Sequence, residues 1–269
     1  MIQLSVLRRP LAVMLASVAV LLAGCGSTPK EPESKWSAER LYAEAKEEAS
    51  LGNYERAGKL YERLEGRASG TALAQQAQIE RAYMLYKSSD KAQALSVLER
   101  FIKLHPTSAA LDYALYLQGL INFNDNLGLL GNLSRQDLSE RDQQASRDSY
   151  QSFKQLVDQF PQSLYADDAR VRMNYIVNAL AAYEVHVARY YYKREAYVAA
   201  ANRAQVVVSE FQQSPSAQEA LYILVQSYDK LGLTALRDDA DRVLRKSFPE
   251  TTLHIDGVST VKKPWWQMW

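Results

Sequence analysis

Residues 91–108 read KAQALSVLERFIKLHPTS, and this stretch predicts the repeating element of the fold. Its apolar residues follow the i, i+3, i+4, i+7 pattern, and they are Ala94, Val97, Leu98, Phe101 and Ile102. That spacing places them on one face of an amphipathic helix. The pair His105-Pro106 is expected to end this helix, because proline cannot continue it. A single helix of this kind cannot bury its apolar face alone, so it needs packing partners.

Four other segments resemble this one in length and pattern, and they are residues 53–70, 146–163, 197–214 and 234–251. Each follows another helical segment that contains small and aromatic residues. Tight turns are expected at Gly52-Asn53, residues 88–90, Lys193-Arg194 and Gly232. A longer helix is expected from residue 165 to about residue 192. We therefore predict an all-α fold, a superhelical solenoid of about five tetratricopeptide-type helix-turn-helix units.

The first residues are typical of an export signal rather than a folded element. Arg8 and Arg9 precede an apolar run over residues 11–22, which is shorter than the about 20 residues of a membrane-spanning helix. Residues 22–25 (LAGC) resemble the bacterial lipobox, so Cys25 is the predicted lipidation site. Cys25 is also the only cysteine, so it cannot form an internal disulfide. The alternative is an incidental small residue near an ordinary cleavage site.

These observations divide the chain into four predicted parts. They are a lipoprotein signal peptide (1–24), a lipidated flexible tether (25–36), the repeat solenoid (37–251) and a Lys/Trp-rich tail (252–269). The solenoid contains a long loop over residues 123–143, which is either part of a binding face or a tolerated surface insertion. The tail suggests contact with a membrane interface or with an apolar groove on a partner, and an unstructured terminus is the alternative.

The composition gives no sign of catalysis, of a cofactor or of nucleic-acid binding. Removing residues 1–24 takes away Arg8 and Arg9 and no acidic residue, so the formal charge falls from +1 to about −1, without a basic excess for nucleic acid. The three histidines, His105, His186 and His254, lie in different segments without metal-ligand spacing. The alternative is a cryptic site among the loop acids Asp125, Asp137, Glu140 and Asp142, which lack the spacing of a calcium loop.

The chain, with a lipobox followed by tetratricopeptide-type repeats, resembles the BamD family over nearly its whole mature length. The stretches that carry this resemblance include Gly52-Asn53-Tyr54, Ala82-Tyr83, Arg100-Phe101-Ile102, Asp112-Tyr113 and Asn202-Arg203. The resemblance implies a non-catalytic subunit of the machinery that inserts β-barrel proteins into the outer membrane. With Gly26 after the cysteine, it also implies lipid anchoring to the periplasmic face of the cell outer membrane. The implied partners are a BamA-like barrel protein with a POTRA region, other assembly lipoproteins and unfolded outer-membrane proteins.

The resemblance also implies two sites. C-terminal repeats of the family are thought to dock the POTRA region, so the expected docking residues are Arg203, Asn202 and Tyr197. Arg203 borders an apolar stripe, and an arginine in that position favours a docking role. The alternative is that its aliphatic carbons lie along the stripe while its charged group stays in water. N-terminal repeats are thought to receive a segment of the unfolded barrel, and the groove candidates are Tyr54, Tyr83, Tyr86, Tyr113 and Tyr116. Only two or three of these are expected to take part, because tyrosines also pack between repeats.

A second hypothesis keeps the lipobox and the repeats but changes the partners. The chain would then be a tetratricopeptide lipoprotein that coordinates proteins of cell-envelope synthesis or division. Co-purification separates the two hypotheses, because they differ in the protein that the solenoid binds.

Overall fold

A computed structural model describes residues 33–123 and 143–251, and within these ranges it contains ten α-helices and no strand. A 3₁₀ turn at Glu33–Lys35 precedes them. The helices are α1 (Ala38–Ser50), α2 (Tyr54–Arg67), α3 (Ala72–Lys87), α4 (Lys91–Leu104), α5 (Leu111–Asn122), α6 (Gln143–Gln159), α7 (Ala166–Lys193), α8 (Tyr197–Glu210), α9 (Ala217–Lys230) and α10 (Thr234–Ser247).

Consecutive helices pack into five hairpins, α1 with α2, α3 with α4, α5 with α6, α7 with α8 and α9 with α10. The first helices of neighbouring units also meet, since α3 contacts α5 and α7 contacts α9. This arrangement confirms the predicted all-α solenoid of about five helix-turn-helix units. The long helix is confirmed as well, because α7 has 28 residues and a length of about 42 Å.

Four of the hairpins are closed by the same backbone turn. In each turn one residue adopts a left-handed conformation, and these are Gly52 (φ 81°), Ser89 (φ 69°), Glu195 (φ 61°) and Gly232 (φ 70°). The next residue donates its N–H to the carbonyl five residues back, as Asn53 does to Glu48 at 2.9 Å. This geometry satisfies the last helix carbonyls and reverses the chain. The predicted turn positions are thus correct to within one residue.

Hydroxyl groups join the end of the second helix to the first helix in three units. Ser108 Oγ donates to Gln75 Oε1 at 2.9 Å, Ser163 Oγ donates to Asp112 Oδ2 at 2.7 Å, and Gln218 Nε2 donates to Thr251 Oγ1 at 2.7 Å. Each serine or threonine closes an 18-residue segment of the sequence. The recurring residue at that position therefore fixes the two helices of a unit relative to each other.

Trp36 marks the start of the packed body. Its side chain is buried against α1 and α2, and the Arg40 guanidinium lies 4.5 Å from its ring centroid. Just before it, Arg67 Nη2 donates to the Ser34 carbonyl at 2.5 Å. The packed body thus begins before residue 37, the boundary that the sequence suggested, because the apolar area of a tryptophan favours burial over a solvated tether.

Gly119 on α5 allows a close approach between α5 and α6. A Cβ at this position would lie 2.5 Å from Phe153 Cε1. The Gly119 carbonyl also accepts a hydrogen bond from Ser149 Oγ at 2.8 Å. Phe153 is fully buried here, so the missing side chain of Gly119 makes room for a core aromatic ring.

Candidate binding groove and docking surface

A cavity of about 400 Å³ lies between α1, α2 and α3, and we name it the tyrosine groove. Its wall is rich in aromatic and charged side chains, and it includes Tyr42, Lys46, Tyr54, Tyr61, Glu80, Tyr83 and Lys87. The Tyr42 hydroxyl accepts a hydrogen bond from Gln76 Nε2 at 3.0 Å, and the Lys87 ammonium lies 5.4 Å from the Tyr54 ring centroid. These contacts fix two of the rings, so the wall is partly preorganised for a ligand.

Glu80 on α3 brings negative charge into the tyrosine groove. Burial raises the pKa of Glu80 above its ordinary value, and the Lys46 charge opposes this effect only in part. Burial, followed by the Glu80 charge, raises the pKa of Tyr61 and raises the pKa of Tyr113 to about 12. The Glu80 carboxylate therefore acts electrostatically on tyrosines from α2 and from α5.

The structure separates the five predicted groove tyrosines into two groups. Tyr54 and Tyr83 line the tyrosine groove, and Tyr113 lies beside it, within the field of Glu80. Tyr86 instead packs against the apolar core formed by α3, α4 and α5. Tyr116 packs against the core that joins α5 to α7. Only part of the predicted set is thus brought together around the cavity.

Tyr116 has a structural partner of its own. Its hydroxyl donates to Asp168 Oδ2 at 2.7 Å, and its ring stacks on Tyr165 with the centroids 4.7 Å apart. Burial, and then the hydrogen bond to Asp168, raise the pKa of Tyr116 to about 12. Burial acts to raise the pKa of Asp168, but hydrogen bonds from Arg172 and Tyr116 outweigh it and hold the pKa below its ordinary value. These contacts explain why Tyr116 links α5 to α7 rather than lining the groove.

The three predicted docking residues, Tyr197, Asn202 and Arg203, lie on α8, and we name these residues together with Val198 the docking surface. Arg203 Nη1 lies 3.1 Å from Glu184 Oε2 on α7. The Glu184 side chain is 7% exposed and that of Arg203 is 44% exposed. Arg203 therefore neutralises a buried carboxylate while it keeps part of its guanidinium in solvent.

The other docking candidates differ in exposure. Asn202 is exposed, and Tyr197 is half-buried with its ring edge-to-face against Tyr192 at 5.4 Å. Val198 is 60% exposed one helical turn before Asn202, so an apolar side chain belongs to the same surface. Val198 is not among the docking residues predicted from the sequence, although its i, i+4 spacing to Asn202 is visible there.

The tyrosine groove also contains residues that were not predicted from the sequence as groove residues, namely Tyr42, Lys46, Tyr61 and Glu80. Tyr42 and Lys46 share one face of α1, and Glu80 shares a face of α3 with Tyr83. These spacings are visible in the sequence, but they do not say which helix faces meet across units.

A second cavity of about 670 Å³ is lined by α2, α3 and α4, and its charges pair with one another. Arg81 Nη2 lies 2.8 Å from Glu62 Oε1, and Arg100 Nη2 lies 2.8 Å from Glu65 Oε1. A ligand would have to replace these ion pairs. The tyrosine groove is therefore the better candidate for binding.

Some sequence predictions lie outside the described residues. They are the signal peptide and Cys25, the acidic residues of the loop at 124–142, and the tail from residue 252. Across residues 33–123 and 143–251, no group of three or more His, Cys, Asp or Glu side chains is arranged to hold a metal ion. No helix in those two ranges is both long and apolar enough to cross a bilayer.

The fold is that of a helical-repeat protein, a class whose extended surfaces commonly bind other polypeptides. Residues 34–243 match the YfiO family model, described as an outer membrane lipoprotein. A relative from Neisseria meningitidis serogroup A, named outer membrane protein assembly factor BamD, is 44% identical over 262 residues, which cover 96% of this chain and 98% of the relative.

Relatives from more distant bacteria bear the same name. The protein from Xylella fastidiosa (strain Temecula1) is 36% identical over 89% of this chain and 82% of its own length. The protein from Haemophilus influenzae is 30% identical over 93% of this chain and 95% of its own length. The chain belongs to the BamD family of outer membrane protein assembly factors. These names describe assembly factors rather than enzymes.

Proposed function

We propose that this protein is a non-catalytic scaffold of the complex that assembles β-barrel proteins in the outer membrane. Its N-terminal units receive a segment of an unfolded barrel protein, and its C-terminal units dock the POTRA region of a BamA-like barrel protein. The family membership supports the assembly role. The tyrosine groove is the observation that carries the receptor role.

The chemistry of the groove suits an extended polypeptide. Tyrosine rings offer large apolar surface, and their hydroxyls can exchange hydrogen bonds with a peptide backbone. An extended segment that enters the groove needs apolar contacts for the side chains on one of its faces. It also needs hydrogen-bond partners for its backbone N–H and C=O groups, which lose their contact with water. The partial preorganisation by Gln76 and Lys87 lowers the entropy cost of binding.

We also propose that Cys25 carries the lipid that holds the protein on the periplasmic face of the outer membrane. Several acyl chains on one residue are enough for stable anchoring, whereas one chain is marginal. Cys25→Ala is expected to release the protein from outer-membrane fractions. Retention of the unlipidated variant in those fractions would show that another contact anchors it.

The receptor role can be tested by photo-crosslinking to an unfolded outer-membrane barrel protein. A photoreactive residue replaces Tyr83 in the tyrosine groove, and the matched control replaces Glu99, which is exposed on α4 of the same unit. Adducts at position 83 and few at position 99 are expected. Equal yields at the two positions would show that the groove is not the receiving site.

A further inference from the structure

Glu80 is the one acidic side chain among the residues that line the tyrosine groove, and it is only partly exposed. Within the described ranges its carboxylate makes no hydrogen bond or ion pair. A carboxylate that loses water without gaining a partner costs free energy. Burial raises the pKa of Glu80 for this reason. A ligand that supplies a positive charge at this point would remove the cost.

The surroundings of Glu80 are suited to a cation. Tyr61 and Tyr83 share the cavity wall with Glu80, and Tyr113 lies within its field. Aromatic rings attract ammonium and guanidinium groups, and phenol and carboxylate oxygens accept their hydrogen bonds. The combination of several tyrosines with one carboxylate is therefore complementary to a Lys or Arg side chain.

The lysines of the groove do not meet this need themselves. Lys46 acts on Glu80 through its charge but lies beyond ion-pair distance, and Lys87 lies over the Tyr54 ring. Both share the cavity wall, so they repel a cation there, and only direct contact with the Glu80 carboxylate offsets that repulsion. This charge pattern directs a positive group to the position of Glu80.

We propose that Glu80, with Tyr61, Tyr83 and Tyr113, forms a cation-recognition site that selects client segments carrying a Lys or Arg side chain near their aromatic residues. The inference rests on the proposed function, since it requires that the groove receives a polypeptide. Arginine is expected to bind better than lysine, because its guanidinium is more weakly hydrated and stacks on aromatic rings. Glu80 would thereby add charge specificity to the aromatic contacts of the groove.

The test uses two synthetic peptides with the same aromatic residues, one with a single arginine and the other with glutamine at that position. A length of about 10 residues, or about 33 Å when extended, is enough to cross three helices packed about 10 Å apart. Binding of each peptide to residues 25–269 is measured by fluorescence anisotropy. The proteins are the wild type, Glu80→Gln and the matched control Glu99→Gln, which removes an exposed charge from α4.

The arginine peptide is expected to bind wild type and Glu99→Gln about 10-fold more tightly than the glutamine peptide does. In Glu80→Gln the two peptides should bind equally, at the affinity of the glutamine peptide. A thermal melt of each variant verifies that it is folded.

Other outcomes separate this inference from the proposed function. If both peptides bind equally to the wild type, the cation site is refuted while the groove remains a receptor. If Glu80→Gln weakens both peptides by the same factor, Glu80 binds the peptide backbone, and cation selection is again refuted. If neither peptide binds the wild type at all, the receptor role of the groove fails, and the inference fails with it.

Discussion

Arg203 offers the most informative perturbation, because the structure gives it a partner inside the chain. The Glu184 carboxylate is 7% exposed and lies 3.1 Å from Arg203 Nη1. Breaking a buried ion pair by removing one partner costs about 3–5 kcal/mol. The Arg203 side chain is 44% exposed, so water can reach the vacated position and reduce the cost to about 2 kcal/mol for Arg203→Ala. Arg203→Glu adds repulsion and should cost about 3 kcal/mol.

These free energies translate into measurable changes in Tm. A domain of this size loses about 2–4 °C per kcal/mol. We expect Arg203→Glu to lower the Tm by about 6–12 °C and Arg203→Ala by about 4–8 °C. The double variant Glu184→Gln/Arg203→Gln should recover most of the loss, because it leaves no buried charge without a partner. Thermal melts followed by circular dichroism at 222 nm, the usual helix signal, measure all four proteins.

The same set separates stability from docking. The double variant keeps the fold but lacks the guanidinium, so a loss of POTRA binding in that protein belongs to the docking surface itself. If Arg203→Glu melts at the wild-type temperature, the ion pair contributes no stability and our reasoning about Glu184 is refuted. If the double variant binds POTRA domains as the wild type does, the role of Arg203 is confined to the fold.

Three further perturbations test the fold and the groove. Gly119→Ala should destabilise the protein by about 1–3 kcal/mol in urea unfolding, because its Cβ would lie 2.5 Å from Phe153 Cε1. The control Gly66→Ala, whose new Cβ meets no atom within 4 Å beyond its chain neighbours and the backbone of its own helix, should instead stabilise by about 0.5–1 kcal/mol, and the opposite order would contradict the described packing. Trp36→Ala should cost about 3 kcal/mol in the same assay, whereas no effect would mean that the indole is not part of the core. Glu80→Gln should raise the Tm at pH 7 but not at pH 4, and a gain that is the same at both values would contradict the burial effect.

The sign of the Glu80 prediction follows from its raised pKa. Between the unfolded and folded pKa values, the native state binds more protons than the unfolded state, so stability falls as pH rises. Glutamine removes this loss at neutral pH and changes nothing once Glu80 is protonated. The titratable groups that share the cavity wall with Glu80 are Tyr42, Lys46, Tyr54, Tyr61, Tyr83 and Lys87, and Tyr113 on α5 lies within its field.

The sequence predicted the repeat architecture because local chemistry determines it. Gly52 and Gly232 place left-handed turns after their helices, and a recurring Ser or Thr joins the two helices in three of the units. These signals act within a few residues and repeat along the chain, so they can be recognised without a structure. The start of the body at Trp36 was missed because a polar, proline-containing stretch precedes it.

The candidate sites were harder to predict because they depend on contacts between different helices. Glu80 and Tyr113 lie on different units, and only the packing of α3 against α5 brings them together. The pairing of Arg203 with Glu184 likewise joins two helices of one unit, and no spacing rule along a single helix predicts it. Tyr86 and Tyr116 looked equivalent to Tyr83 in the sequence, but their surroundings differ in the structure.

The most direct test of the central claim is a mild-detergent purification of the lipidated, full-length protein from its own envelope, with partners identified by mass spectrometry. We expect recovery of a barrel protein with POTRA domains together with other assembly lipoproteins, and loss of that barrel protein in Glu184→Gln/Arg203→Gln. Recovery of enzymes of envelope synthesis or of division proteins in place of the barrel protein would contradict the assembly role, and only the helical-repeat fold would remain supported.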